Sequence, residues 1–164
     1  MHSVYIGLGS NLGRRGDNIR RALDLLTQDG SRLAAVSSFH ETAPVGFTSS
    51  HSFLNAAALV LTPLPPEAFL DATQRVERAL GRTVKSENGI YHDRTIDIDM
   101  LFYDDIMLNT PRLAIPHPHM CGRAFVLAPL CEIAPAMVHP VNCMTVAQML
   151  AALQNNSTAG GVKP

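Results

Sequence analysis

Arg94-Thr95-Ile96-Asp97-Ile98-Asp99-Met100-Leu101-Phe102 is the stretch on which the fold turns. It alternates so regularly that it reads as a β-strand with two unlike faces. Ile96, Ile98, Met100 and Phe102 point one way, into a core, while Thr95, Asp97, Asp99 and Leu101 point the other, because successive side chains leave a strand on opposite sides. Aspartate is depleted in strands, and two carboxylates on one face repel each other, so a positive charge belongs between them. Carboxylate oxygens are hard ligands suited to Mg²⁺, which keeps several waters and reaches out to substrate phosphates. Residues i and i+2 lie about 6.5–7 Å apart along a strand, a spacing that can flank a pair of metal ions. The alternative is an exposed edge strand whose acids pair with Arg94 or with water.

Upstream, residues 82–93 are polar and lack periodicity, which reads as a mobile loop feeding the acidic strand. Before it, Pro65-Pro66-Glu67 opens a helix, since proline suits the first helical turn. Phe69, Thr73, Val76 and Leu80 form its buried stripe and Gly81 ends it. Gln74 and Glu77, three apart, project together beside that stripe, either as ligand contacts or as a solvated helix edge. The run from Phe53 to Thr62 reads as a strand with Phe53 and Asn55 on one face. A ring beside a two-way hydrogen-bonding amide suits a flat heteroaromatic ligand, and equally a core ring beside a turn-capping amide. Residues 32–40 read as another strand, joined to Phe53 by a connection long enough to be functional. At the start, residues 3–8 form a strand and Gly9-Ser10-Asn11-Leu12-Gly13 a turn. A helix over 15–28 follows, with Ile19, Ala22, Leu23 and Leu26 inward. The turn could hold phosphate, but it lacks the Gly-Lys-Ser/Thr ending of a P-loop, and a tight turn that needs glycine explains it better.

Downstream, Asp104-Asp105 makes a turn, residues 106–108 a short hairpin arm, and Pro111-Arg112-Leu113 a bend. The prolines of Ile115-Pro116-His117-Pro118-His119 fix an extended loop with no third soft ligand nearby, so His117 reads as a charge or hydrogen-bond contact and not a zinc ligand. A short helix carrying Arg123 and Phe125 is expected to stop before Pro129, with residues 132–135 as a turn. Thr145-Val146-Ala147-Gln148 is a capping box leading into a terminal amphipathic helix with Met149, Leu150 and Leu153. Residues 1–154 read as one domain, and 155–164, rich in Gly, Ser and Asn, as a disordered tail.

Composition narrows the class. A chain of 164 residues is one ordinary domain. Its formal charge of −1 offers no basic field for nucleic acid. Cys121, Cys131 and Cys143 are odd in number and lack metal-ligand spacing, so they read as reduced thiols. No apolar run approaches a membrane span and the N-terminus has no signal-peptide layout. The expected compartment is the cytoplasm, and the expected state a monomer acting on small molecules.

Seven stretches, in order, carry a family resemblance: Tyr5 to Gly13, Glu41 to Gly46, Phe53-Leu54-Asn55-Ala56, Thr73 to Glu77, Gly81-Arg82, Asp93 to Asp99, and Ile115-Pro116-His117 through Arg123-Ala124-Phe125. With these the chain resembles the 6-hydroxymethyl-7,8-dihydropterin pyrophosphokinases of folate biosynthesis. The resemblance implies transfer of the terminal pyrophosphate of ATP to the pterin hydroxymethyl oxygen, leaving AMP. It implies direct in-line displacement at the β-phosphorus, with catalysis by positioning and charge neutralisation. It further implies that Asp97 and Asp99 hold two Mg²⁺ ions, and that Arg82 and Arg94 join them in catalysis. The pterin would lie between Phe53 and Phe125, its edge read by Asn55 and by the backbone of Thr42, Ala43, Pro44 and Val45. Gln74, Glu77, Arg82, Arg94, His117 and Arg123 would line the ATP side, the arginines offering planar forks for phosphate.

The chain departs from the family pattern in its mobile loop. Val84, followed by Lys85, stands where many members carry a second arginine. There is no tryptophan, and Tyr91 or His92 would cover the pterin in its place. Pro118 stands where the family has a tyrosine. The expected fold is α+β: a ferredoxin-like βαββαβ core, its sheet mostly antiparallel, with helices on one face and the site on the other.

Overall fold

The computed structural model of the chain describes residues 1–42, 52–81 and 95–161, without the side chains of 156–161. Its central strand is β1 (His2–Ser10), which pairs antiparallel with β4 (Phe53–Thr62) on one side and β5 (Asp97–Tyr103) on the other. β2 (Arg32–Val36) and β3 (His40–Thr42) lie end to end along the far side of β4. The order β2-β4-β1-β5 with every pair antiparallel is the ferredoxin-like arrangement. Two crossovers through α1 (Arg15–Leu26) and α2 (Pro66–Ala79) generate it. A small hairpin of β6 (Leu108–Asn109) and β7 (Ala114–Ile115) follows, then a 3₁₀ turn (Met120–Gly122), α3 (Ala124–Ile133) and α4 (Val146–Gly161). α4 runs past Asn155, where the sequence suggests that a disordered tail begins.

Alternation along the strands makes two cores. Val4, Ile6 and Leu8 of β1, Ala56, Ala58 and Val60 of β4, and Ile96, Ile98 and Met100 face α1 and α2. There they bury Ile19, Leu23, Leu26, Phe69 and Val76. Each such side chain removed from water contributes about 1.5–3 kcal/mol. The opposite face is not left bare: α3 and α4 cover Ala57, Leu101 and Phe102 with Leu127, Leu130, Val146 and Met149. The two crossover helices thus share one face, as expected, and the C-terminal pair occupies part of the other. At the end of the sheet Gly9 is buried while Asp97 and Asp99 are half-buried.

Three local expectations are corrected. Phe102 does not join Ile96, Ile98 and Met100: Ile6 pairs with Met100 but Tyr5 with Phe102, so Leu101 is an extra residue in the ladder. This β-bulge turns Leu101 and Phe102 both into the second core and returns Tyr103 to the first. The strand expected over 32–40 is divided into β2 and β3. At the break, Ser37 accepts the Ala57 N–H on its hydroxyl at 2.9 Å and gives its own N–H to the Ala57 carbonyl at 2.8 Å. Finally, α3 does not stop before Pro129 but runs through it to Ile133, so that Glu132 is helical. Proline removes only the bond to the carbonyl four residues back, here Phe125 in the first turn, and burial of Leu127, Pro129 and Leu130 offsets that loss.

Candidate active site

Strand register assembles the site. Asp97 pairs with Gly9, Gly9 with Asn55, and Asn55 with His40, forming one row across four strands. Directly paired residues share a face, so the acid, the amide and the imidazole all project from the face opposite α1 and α2. Gly9 leaves the gap between acid and amide. A Cβ there would sit 3.2 Å from Asn55 Oδ1 and 3.5 Å from Phe53 Cδ1. Gly9 is therefore the floor of a slot walled by Asn55 and Phe53. The sequence reading assigned Gly9 to the turn and missed this, although Ile6-Gly7-Leu8-Gly9 carries the signal: glycines at the two positions that face away from the core.

Asn55 is nearly inaccessible and its Nδ2 donates to Thr42 Oγ1 at 2.7 Å, which fixes the amide. Beneath Thr42 and Phe53, on the other sheet face, the Arg15 guanidinium donates to the Ser52 carbonyl and hydroxyl at 3.0 and 2.9 Å. It also pairs with Glu41 at 3.3 Å. The bond from the Ser52 hydroxyl, with Arg15 beside it, lowers the Glu41 carboxyl below its ordinary range. This clasp, not foreseen from the sequence, joins the end of β3 to the start of β4.

Asp97 and Asp99 are half-buried on the face opposite α1 and α2, and between them the Ile98 N–H donates to Glu77 Oε2 at 2.9 Å. Glu77 is buried, so the solvated-edge alternative does not hold for it; its carboxylate anchors the acidic strand. Gln74 lies half-buried one turn earlier on α2. His117 Nε2 lies 3.9 Å from Asp99 Oδ1, and His117 Nδ1 accepts the His119 N–H at 3.1 Å. With Nδ1 an acceptor, the neutral ring carries its hydrogen on Nε2. Burial above all, helped by the Arg123 and His119 charges and opposed by Asp97, pushes His117 down to about 4. Arg123 caps the start of α3 with its guanidinium 5.7 Å from the Phe125 ring centre. Pro118 is exposed beside His117.

The described residues of the site fall into groups: the strand row, His117 beside Asp99, and Phe125 beside Arg123. Ala43, Pro44, Val45, Arg82, Lys85, Tyr91, His92 and Arg94 lie outside the described residues. Among the described residues no group of three or more His, Cys, Asp or Glu side chains is arranged to hold a metal. Two hard carboxylates on one open face nevertheless fit a cation that completes its shell with water and phosphate oxygens.

A family model described as 7,8-dihydro-6-hydroxymethylpterin-pyrophosphokinase matches residues 5–135. A 2-amino-4-hydroxy-6-hydroxymethyldihydropteridine pyrophosphokinase from Porphyromonas gingivalis is 47% identical over 141 residues, covering 85% of this chain and 95% of that protein. The protein of the same name from Bacillus subtilis is 44% identical over 131 residues, 79% of this chain and 77% of its own length. Among solved structures, Plasmodium falciparum HPPK-DHPS with pteroate superposes with a TM-score of 0.77 at 13% identity. The overlap covers 96% of this chain and 45% of that one, a likeness of fold alone over less than half of the larger protein. The chain belongs to the 7,8-dihydro-6-hydroxymethylpterin-pyrophosphokinase family.

Proposed function

We propose that this protein transfers the terminal pyrophosphate of ATP to the hydroxymethyl oxygen of 6-hydroxymethyl-7,8-dihydropterin, releasing AMP in folate biosynthesis. Family membership supports the activity, an ATP-dependent diphosphokinase. The single observation that supports the residue roles is the row Asp97–Gly9–Asn55, which sets Asp97 and the Asn55 amide on one sheet face on either side of a glycine.

In this reading Asn55, oriented by Thr42, reads the pterin edge while Phe53 and Phe125 stack on its faces, with Ala43, Pro44 and Val45 completing the edge. Gln74, Glu77, Arg82, Arg94, His117 and Arg123 line the nucleotide side. His117 stays neutral at pH 7 and offers its Nε2–H to a phosphate oxygen without adding charge. Asp97 and Asp99 would hold the two Mg²⁺ ions, which when bound supply charge neutralisation along the triphosphate. No side-chain nucleophile takes part: the pterin hydroxyl oxygen bonds the β-phosphorus in line as the β-phosphorus–oxygen bond to AMP breaks, and the hydroxyl proton passes to water. The chain's work is alignment. The working unit is residues 1–154, acting as a cytoplasmic monomer. Among the described residues no helix is long and apolar enough to cross a membrane, and the three cysteines are free thiols.

The test incubates the protein with ATP, Mg²⁺ and the pterin and separates products by charge. AMP formed only when pterin is present is the expected outcome; ADP or inorganic phosphate would refute the reading. Asp97→Asn and Asp99→Asn should each lose most turnover while circular dichroism stays native. Wild-type rates in either variant would remove the metal assignment.

A further inference from the structure

The two walls of the proposed pterin slot belong to elements far apart in sequence. Phe53 and Asn55 stand on β4, and Phe125 stands in the first turn of α3. Leu127 and Leu130 pack α3 on Ala57 of β4, and one polar side chain adds a directional tie to the neighbouring strand. Glu132, near the end of α3, accepts the Ser38 N–H on Oε1 at 2.8 Å and the His40 Nε2–H on Oε2 at 2.5 Å. The Ser38 hydroxyl lies 2.9 and 2.8 Å from its two oxygens. Ser38 is itself held against the sheet, because the preceding residue, Ser37, bonds the Ala57 backbone through both its N–H and its hydroxyl. His40 pairs in register with Asn55, and Thr42, two residues on, pairs with Phe53 and holds the Asn55 amide.

Helical geometry gives the strap its reach. Glu132 follows Phe125 by seven residues, two turns, so both lie on one side of α3, about 10 Å apart along its axis. A carboxylate bonded to His40 of β3 at one end of the helix thus lies on the same side of α3 as the ring at the other end. A surface ion pair of this exposure contributes little to global stability, so the strap's effect is local.

We propose that Glu132 is a positioning residue for the pterin slot: by clamping α3 to Ser38 and His40, it holds Phe125 at its working distance from Asn55 and Phe53. The inference rests on the pterin reading given above and adds a residue that touches neither substrate. Preorganisation of a binding site appears as affinity for the ligand it shapes and for no other.

The experiment measures dissociation constants for the hydroxymethyl-dihydropterin and for a non-hydrolysable Mg-ATP analogue on wild type, Glu132→Ala, Glu132→Gln and His40→Gln. Glu132→Ala is expected to weaken pterin binding about tenfold while the nucleotide constant stays within about twofold. Glu132→Gln keeps an oxygen for the Ser38 N–H and should fall between it and wild type. Proportional loss of both ligands would mean a merely structural role and overturn the proposal, as would unchanged pterin affinity in the alanine variant. If Glu132→Ala melts below the assay temperature, Glu132→Gln and His40→Gln decide, each required to weaken pterin alone. A wild type that binds no pterin would instead sink the functional reading, and this inference with it.

Discussion

Replacing Gly9 by alanine is the sharpest perturbation of the slot, and Gly7→Ala is its built-in control. The two glycines are neighbours on the same face of β1, yet their surroundings differ. A Cβ at Gly9 meets Asn55 Oδ1 at 3.2 Å and Phe53 Cδ1 and Cε1 at 3.5 and 3.9 Å. At Gly7 its three nearest atoms are Leu101 side-chain carbons at 3.7, 3.8 and 3.9 Å, ordinary van der Waals contact. Neither glycine is at a positive φ, so the backbone accepts alanine at both positions. Asn55 cannot yield freely, because its amide is held to Thr42 at 2.7 Å and nearly all of it is buried. In Gly9→Ala, overpacking costs about 1–3 kcal/mol. The more restricted unfolded chain returns about 0.4–1 kcal/mol. The net loss, between about 0 and 2.6 kcal/mol, lowers Tm by up to roughly 5–10 °C. Binding suffers separately: one added methyl in the slot is worth about 1–3 kcal/mol, roughly 10- to 200-fold in pterin affinity. Gly7→Ala should keep pterin affinity and melt at or above the wild-type temperature. Calorimetric titration with the pterin and thermal melting of both variants decide the matter. Wild-type pterin binding by Gly9→Ala, or equal losses in the two variants, would refute the slot.

Thr42→Ala removes the acceptor of the Asn55 amide and leaves a buried donor unsatisfied, at a cost of about 1–3 kcal/mol. Pterin affinity should fall with it and return in Thr42→Ser, as read by titration. Thr145 and Gln148 bond each other's backbone N–H reciprocally, the Thr145 N–H to Gln148 Oε1 at 2.8 Å and the Gln148 N–H to Thr145 Oγ1 at 3.1 Å. Thr145→Ala should cost about 1 kcal/mol of stability in urea unfolding without touching turnover. Burial lowers His139 below its ordinary 6.5, and its Nδ1 accepts the Val141 and Asn142 N–H groups at 3.2 and 3.3 Å. Below pH 6.5 the unfolded chain binds this proton before the folded one does. His139 therefore contributes stability that is complete above pH 6.5 and declines as pH falls toward its lower folded value. Urea midpoints at pH 7 and 5 should separate more in wild type than in His139→Gln; equal slopes would refute the assignment.

Local periodicity made part of this molecule legible. The limits of β4, the stripe of α2, the capping box before α4 and the outward pair Asp97/Asp99 all follow from side chains that alternate or repeat within a few residues. The bulge at Leu101 was not legible, because a slipped ladder is a relation between two strands and Met100-Leu101-Phe102 carries no local mark of it. The burial of Glu77 was hidden likewise: its partner, the Ile98 N–H, lies 21 residues away. Ser38, His40 and Glu132 are unremarkable polar residues until separations of 92 and 94 residues are closed. Pro129 sits inside α3 because the carbonyl it frees, that of Phe125, lies in the helix's first turn, a relation set by where the helix begins and not by the proline itself.

The arrangement of the row itself limits which way a substrate can lie. Strands are spaced about 4.8 Å apart, so Asp97 and Asn55, separated by the β1 strand alone, stand roughly 10 Å apart across the sheet. That is the span of a two-ring heterocycle with one exocyclic arm. In the proposed reading a ligand whose hydrogen-bonding edge meets Asn55 would lie past Gly9 and extend the arm toward Asp97, where cation-bound phosphate would meet it. The reversed pose sets a neutral edge against the acids and leaves the Asn55 amide facing the arm, so the reacting oxygen points away from the phosphates. On the same reading Gly9, which lacks a side chain and is lined by Asn55 and Phe53, is what would let one flat molecule reach both acid and amide. A substrate analogue lacking the exocyclic arm should bind with its affinity for the slot nearly intact, yet be indifferent to Asp97→Asn. The full substrate should feel that substitution when the Mg-nucleotide is present, and equal sensitivity of both ligands would mean that the row does not orient the substrate.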